Sequence, residues 1–297
     1  MTAEAAPAVP AAAAGSWSLG DLTVHRLGFG AMRLTGHRPR GVDVPADRDQ
    51  SIAVLRRAVE LGVNHIDTAA FYFSTLRSAN ELINSALAPY PGDLVIVTKI
   101  GPGRDPSGQW YTATPGQLRG QVEENLRQLG RDHLDVVNLR RMGQDSIAEH
   151  FGALAELRDA GLIRHLGVSG VTVAQLDEAR AIAPVVCVQN RFSLDDPGHA
   201  DVLAACRDRA IAFVPFFAIA GDRRSAGGAA GTSEAVAQVA SSHRATPAQV
   251  HLAWTLAQGP HVLAIPGTGD PGHLTENVAA ATLQLTAEDL ARLSSPA

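Results

Sequence analysis

The sequence predicts an α/β chain closing as a (β/α)8 TIM barrel, with an N-terminal β-hairpin and an extra C-terminal helix. Three observations predict it. Short runs rich in Val, Ile, Leu and Phe alternate with longer helical stretches, the sequence form of repeated β-α units. Eight such runs occur, each followed by a helix candidate. The 297 residues lie close to the roughly 250 typical of one barrel, and no break in composition marks a second domain.

Taken in order, residues 1–15 are an Ala/Pro tract without the basic region of a secretory signal, and Glu4 sits where a positive charge would be needed. They are expected to be a disordered lead-in to a single domain over 16–297. Residues 16–24, centred on Leu19-Gly20-Asp21-Leu22, read as a hairpin. Barrel strands are expected at 25–31, 63–67, 94–99, 134–139, 163–168, 185–189, 212–217 and 262–265. Helices are expected near 50–61, 78–88, 115–129, 146–160, 173–182, 199–209, 247–258 and 271–281, with an extra one near 233–242. Thr114-Pro115 and Thr246-Pro247 place a capping hydroxyl before a proline at the first helical position, and Thr172/Gln175 and Thr246/Gln249 have capping-box spacing. Irregular connections remain at 35–49, 101–112 and 221–232. Barrel enzymes draw catalytic groups from the C-terminal ends of strands and the loops that follow, so substrate choice is expected to lie in those connections.

Composition narrows the partners. With 25 basic and 30 acidic residues the formal charge is −5, which gives no electrostatic drive toward nucleic acid or an anionic membrane. Apolar runs such as 211–220 are half the roughly 20 residues of a spanning helix. Cys187 lies in an apolar run and Cys206 on a helical segment, without metal-ligand spacing, so both read as buried small hydrophobes in a reducing cytoplasm, and no metal is expected. A small-molecule partner is expected, with oligomeric state open.

Lys99 is the single lysine of the chain; every other cation among the 25 basic residues is an arginine. It closes the run Leu94-Val95-Ile96-Val97-Thr98 at the expected barrel mouth, where a compact cation of tunable pKa differs usefully from a permanently charged guanidinium. The plain alternative is a lysine snorkelling from a strand end. Asp67 ends the run Val63-Asn64-His65-Ile66, and Tyr72 follows in the next loop. If the three converge, Lys99 held charged by Asp67 lowers the Tyr72 hydroxyl from about 10 and poises it to protonate a carbonyl oxygen. A salt bridge stitching two strands, with Tyr72 as a loop anchor, accounts for the same residues.

Asp67-Thr68-Ala69 with Tyr72, followed by Val97-Thr98-Lys99-Ile100-Gly101, resembles the aldo-keto reductase family, and the likeness runs from about Leu22 to the C-terminus. Gly167-Val168-Ser169, Val188-Gln189-Asn190-Arg191-Phe192-Ser193 and Ile265-Pro266-Gly267-Thr268, with His273-Leu274 and Glu276-Asn277, are similar in order and spacing to the cofactor segments of that family. The resemblance implies reduction of an aldehyde or ketone by NADPH, with Asp67, Tyr72 and Lys99 in three of four catalytic roles and Tyr72 as proton donor. It also implies that Ser169 and Gln189 hold the nicotinamide carboxamide and that Phe216 lies against its ring. Gly267, Thr268, His273, Glu276 and Asn277 are then the residues for the rest of the nucleotide. The chemistry agrees: an amide and a hydroxyl suit a carboxamide, an aromatic face suits a flat heterocycle, and a helix start after Gly267 suits a phosphate.

Three departures follow. Arg140, in Asn138-Leu139-Arg140-Arg141, stands where the family has its fourth catalytic residue, a histidine. Period-two alternation sends one of Arg140 and Arg141 inward, and Arg140 is expected there. With Asp67 paired to Lys99, this leaves about one net positive charge and favours a substrate carrying an anionic group beside its carbonyl. The run is similar to the bacterial subset that includes pyridoxal reductases, and pyridoxal meets that demand. Gly170 replaces an asparagine after Ser169. Residues 267–273 contain Asp270 and no lysine or arginine, so NADH stands as the alternative cofactor. The glycine-rich stretch 221–232, with Asp222, Arg223 and Arg224, reads equally as a cover for the cofactor and as a flexible connection. A non-redox isomerase or cyclase, or a nucleotide-sensing regulatory subunit, on the same scaffold are the competing functions.

Overall fold

The structure, a computed structural model, describes residues 10–36, 46–104, 109–219 and 233–294. An antiparallel hairpin, β1 (Ser16–Leu19) and β2 (Leu22–His25), comes first. Parallel strands follow as β3 (Phe29–Gly30), β4 (His65–Asp67) and β5 (Val95–Ile100). A second hairpin, β6 (Pro102–Arg104) and β7 (Trp110–Thr112), is inserted before β8 (Leu134–Arg140), β9 (Ile163–Ser169), β10 (Val185–Gln189) and β11 (Ala212–Phe213). The parallel strands stand in the order β11-β10-β9-β8-β5-β4-β3.

Residues 262–264 complete the ring. Val262 bridges Phe213 and Ala264 bridges Leu27, both in parallel sense. The Leu263 N–H donates to Phe213 O at 2.9 Å, and the Gly28 N–H donates to Ala264 O at 2.8 Å. This eighth strand lies between β11 and β3, so the sheet has no free edge and the chain is a (β/α)8 barrel. At its upper end the backbones press together, and a Cβ on Gly30 would stand 2.7 Å from Ile265 O. Only glycine lets the two strands approach so closely there.

The helices are α1 (Arg48–Glu60), α2 (Ala79–Leu87), α3 (Leu118–Leu129), α4 (Ala148–Asp159), α5 (Val173–Ile182), α6 (Ala200–Asp208), α7 (Glu234–Ser242), α8 (Pro247–Ala257), α9 (Pro271–Ala279) and α10 (Ala287–Ser294). Both capping boxes form. The Thr172 and Thr246 hydroxyls each accept from the backbone N–H three residues on, at 3.3 Å, while Gln175 and Gln249 accept from the threonine N–H groups. The extra helix near 233–242 is α7, and α10 is the C-terminal one. Among the described residues no helix is long and apolar enough to cross a membrane.

Alternation along each strand divides the core in two. Ile96, Ile100, Val137, Leu139, Leu166 and Val168 face the helices in one large cluster. Val95, Val97, Val136, Cys187, Ala212 and Leu263 fill the barrel interior, and Leu19 and Val24 from the hairpin join them. The hairpin is therefore a plug at the end opposite the strand C-termini, sealing an interior that water would otherwise reach.

Several expectations change. The end of the expected lead-in is ordered: Ala11–Ala14 form a 3-10 turn, Ala11 is fully buried, and its N–H donates to Leu61 O at 2.8 Å. Residues 1–9 lie outside the described residues. The expected strand 25–31 divides, because His25 pairs with Ser16 in the hairpin while Phe29 and Gly30 pair with β4. The expected strand 212–217 is regular only at Ala212–Phe213, since Pro215 has no N–H to give and Phe217 takes a φ of 64°. Residues 101–112 are not wholly irregular: β6 and β7 pair there, with Arg104 4.5 Å above the Trp110 ring. Residues 37–45 and 221–232, with the expectation for Asp222, Arg223 and Arg224, lie outside the described residues.

Candidate active site

The alternation that fills the barrel interior also selects the side chains at its mouth. Two residues above Val97, on the same face of β5, stands Lys99, and four above Val136 on β8 stands Arg140. Asp67 closes β4, Ser169 closes β9 and Gln189 closes β10, so each strand delivers one polar group to the same level. They line a cleft of ≈ 600 Å³. The size suits a cofactor and a small substrate.

All twelve residues singled out from the sequence line this cleft: Asp67, Tyr72, Lys99, Arg140, Ser169, Gln189, Phe216, Gly267, Thr268, His273, Glu276 and Asn277. Arg141 does not, and its guanidinium instead donates to Gln144 O at 2.6 Å. Lys99 Nζ donates to Asp67 Oδ1 at 2.6 Å and to Thr68 O at 2.8 Å. It also lies 4.9 Å from the centroid of the Tyr72 ring. The second Asp67 oxygen accepts from Gln189 Nε2 at 2.5 Å, so the carboxylate is held from both sides.

Burial draws Lys99 down, but the Asp67 carboxylate and Tyr72 outweigh it, and the ammonium ends above its ordinary value. It remains charged. Tyr72 behaves otherwise than the sequence suggests. Burial pushes the phenol above its ordinary value, and Lys99 and Arg140 only reduce that rise, which Asp67 adds to. The expected lowering below about 10 is therefore corrected, because desolvation at the barrel mouth outweighs the cations. Arg140 is lowered by burial from so high a starting value that it stays a cation near neutral pH. Its Nη1 donates to Ser169 Oγ at 3.2 Å, and its Cζ lies 5.1 Å from the Phe216 ring centroid.

The residues at the Ser169 end fit a nicotinamide. With Nε2 of Gln189 committed to Asp67, Oε1 is a buried acceptor without a partner among the described residues, and Gln189 lines the cleft. Such an acceptor calls for a donor, and a carboxamide NH2 supplies one. Phe216 lines the same cleft, with the Arg140 guanidinium over its ring. Farther along, Gly267 and Thr268 lead to α9, but Asp270 caps that helix by accepting from the His273 N–H at 2.9 Å. One of the donors expected for a phosphate is thus occupied by the protein's own carboxylate. The Glu276 side chain accepts from Thr246 Oγ1 at 2.5 Å, and Asn277 is buried beside it.

Sequence reasoning missed part of the lining. Phe71 stands edge-on between Tyr72 and Trp110, with ring centroids 5.4 and 5.8 Å apart, and Met32, Arg33, Phe217 and Ile219 extend the wall. Trp110 was reachable only as a member of the 101–112 connection. Asn190 stands in the sequence only as part of the 188–193 motif, yet its side chain accepts from the Gly170 and Val171 N–H groups and fixes the turn beneath Arg140.

Comparison with known proteins agrees with this geometry. The sequence model described as "Aldo/keto reductase family" matches residues 26–296. Pyridoxine 4-dehydrogenase of Escherichia coli is 44% identical over 286 residues, covering 94% of this chain and 96% of that protein. Among solved structures, a thermostable aldo-keto reductase in complex with the inhibitor epalrestat superposes with a TM-score of 0.79 at 28% identity, covering 94% of this chain and 98% of that one. An aldo-keto reductase of Klebsiella pneumoniae in complex with NADPH gives a TM-score of 0.76 at 26% identity, covering 91% and 90%. Matched along nearly its whole length, this chain belongs to the aldo/keto reductase family.

Proposed function

We propose that this aldo/keto reductase reduces an aldehyde to an alcohol with NADPH, and that its substrate carries a negative charge beside the carbonyl, as pyridoxal does. The observation that carries the charge preference is Arg140, a mostly buried guanidinium at the cleft with Ser169 and Phe216 as its neighbours. A phenolate or carboxylate placed against it completes the charge balance that Asp67 supplies to Lys99. The relative named pyridoxine 4-dehydrogenase supports the same substrate class.

NADPH, when bound, supplies the hydride. Gln189 Oε1 and Ser169 Oγ orient the carboxamide, Phe216 offers a flat apolar surface, and Gly267, Thr268, His273, Glu276 and Asn277 line the cleft toward the remaining nucleotide. Tyr72 gives its hydroxyl proton to the carbonyl oxygen, and Lys99 and Arg140 stabilise the phenolate left behind. Asp67 keeps Lys99 charged and fixed in place. The buried free thiols Cys187 and Cys206 fit a reducing compartment such as the cytoplasm.

The test is steady-state reduction of pyridoxal and of benzaldehyde with NADPH. One charge-assisted hydrogen bond corresponds to a preference of about tenfold or more in kcat/KM for pyridoxal, reduced toward parity in Arg140→Ala. Equal efficiencies in the unaltered enzyme remove the charge argument. Binding of nucleotide without NADPH oxidation by any aldehyde removes the reductase reading itself.

A further inference from the structure

The Arg140 guanidinium lies in a slot with three walls. Phe216 presents its ring 5.1 Å from Cζ, and Ser169 Oγ accepts from Nη1 at 3.2 Å. Gly170 is the third wall. A Cβ built on it would stand 2.7 Å from Nη1 and 3.2 Å from Cζ of Arg140, so the guanidinium rests against a bare Cα.

Gly170 has no room to retreat. Its φ of 74° is left-handed, and its N–H donates to Gln189 O at 2.9 Å and to Asn190 Oδ1 at 2.9 Å. The Val171 N–H meets the same Asn190 oxygen at 3.1 Å. A side chain at position 170 therefore displaces the flexible end of Arg140 rather than the backbone. Among the described residues no carboxylate pairs with that guanidinium, although a mostly buried cation ordinarily has one. Among the described residues, the slot and the Ser169 hydroxyl are what hold it in position.

The geometry points to Gly170 as a positioning residue for substrate choice: its missing side chain seats the Arg140 guanidinium against Ser169 and Phe216, and so sets where the substrate's anionic group is held. The two sequence departures at 140 and 170 are then one structural unit, since the larger cation occupies the volume that a side chain at 170 would take. This inference rests on Arg140 being the anchor for that anionic group. A displaced guanidinium offers its donors from the wrong place relative to the carbonyl. The loss falls on KM for a charged aldehyde more than on turnover.

A double-mutant cycle tests it, with the unaltered enzyme, Gly170→Ala, Arg140→His and the pair assayed on pyridoxal and benzaldehyde under saturating NADPH. In the Arg140 background, Gly170→Ala should raise KM for pyridoxal about tenfold more than KM for benzaldehyde. In the Arg140→His background that selective rise should vanish. A left-handed φ penalises any Cβ whatever the space, so the cycle is repeated with Gly170→Asn, which tolerates that region, and thermal unfolding is recorded for every protein. Backbone strain lowers the unfolding temperature equally in both backgrounds and cannot produce a charge-selective KM effect. The same KM factor in both backgrounds, or no selective rise with Arg140 present, overturns the seat. Failure of the anchor reading is a different result: the unaltered enzyme and Arg140→His would then show the same ratio of pyridoxal to benzaldehyde efficiency.

Discussion

Lys99 and Asp67 bind each other at 2.6 Å with both side chains almost wholly withdrawn from water. Removing one partner strands the other charge, which costs about 3–5 kcal/mol in comparable buried pairs. Asp67→Asn should therefore lower the free energy of urea unfolding by about that much, and Asp67→Asn combined with Lys99→Met should recover a large part of it. The alkaline limit follows from the raised Lys99 pKa. A raised ammonium contributes its stability fully below the unfolded value of about 10.4 and loses it as pH climbs through the folded value. The contribution should thus be intact at neutral pH and disappear only in strong alkali, a loss absent from Lys99→Met.

On the proposed role of Tyr72 as proton donor, Tyr72→Phe should reduce kcat by about 10²–10⁴-fold while leaving the fold in place, because it removes only the hydroxyl. The upward shift of the phenol gives this donor a particular pH profile. It stays protonated through the neutral range, so reduction should hold level there and decline only above about pH 10. A fall in kcat beginning near pH 7 in the unaltered enzyme and absent from Tyr72→Phe would contradict the assignment.

Asp270 caps α9 at the place where the sequence suggested a phosphate contact, and residues 267–273 hold no lysine or arginine. With a single charge-assisted bond at stake, NADPH and NADH should differ by no more than about a hundredfold in affinity. Fluorescence titration of both nucleotides measures it. A preference of about 10⁴-fold would require a cation that residues 267–273 do not supply.

His65, on the interior face of β4 one turn of alternation below Asp67, is fully buried and held down to about 4 by that burial. A histidine lowered in the folded state binds its proton more readily when unfolded, so stability rises with pH across the interval from about 4 to 6.5 and is complete above it. The contribution amounts to roughly 3 kcal/mol. Comparing urea midpoints at about pH 5 and about pH 7.5 should show this slope in the unaltered protein and a flatter one in His65→Asn.

Leu19 on β1 is fully buried against Val24 and the interior of the barrel. Leu19→Ala should cost about 2–5 kcal/mol, and Leu19→Met under about 1.5 kcal/mol, as measured by denaturant unfolding. Comparable losses from both would mean that the hairpin does not fill the barrel floor.

Strand and helix positions were legible because each apolar run keeps the two-residue period that separates Val95, Val97 and Lys99 from Ile96 and Ile100. The same arithmetic allowed only one of Arg140 and Arg141 to face inward, and the structure has Arg140 there. Where an element depends on partners rather than period, the sequence was silent. The β6/β7 hairpin rests on Arg104 over Trp110 and on Tyr111 over Gly103, contacts without a spacing signature. The direction of the Tyr72 shift is not legible in the sequence, which displays the neighbouring charges but not the depth at which they lie. Gln189 was legible as a polar residue of the cleft, yet only the fold reveals that half of its amide is committed to Asp67.

The seam that joins Leu27 to Ala264 has a consequence for biosynthesis. The first barrel strand leaves the ribosome long before its neighbour across the seam exists, and its outer edge is satisfied only once residues 262–264 have been made. Gly30 and Gly267, which meet at that seam, also border the cleft. A nascent chain that has not reached these residues therefore has most of its strands but an open seam and an incomplete cleft.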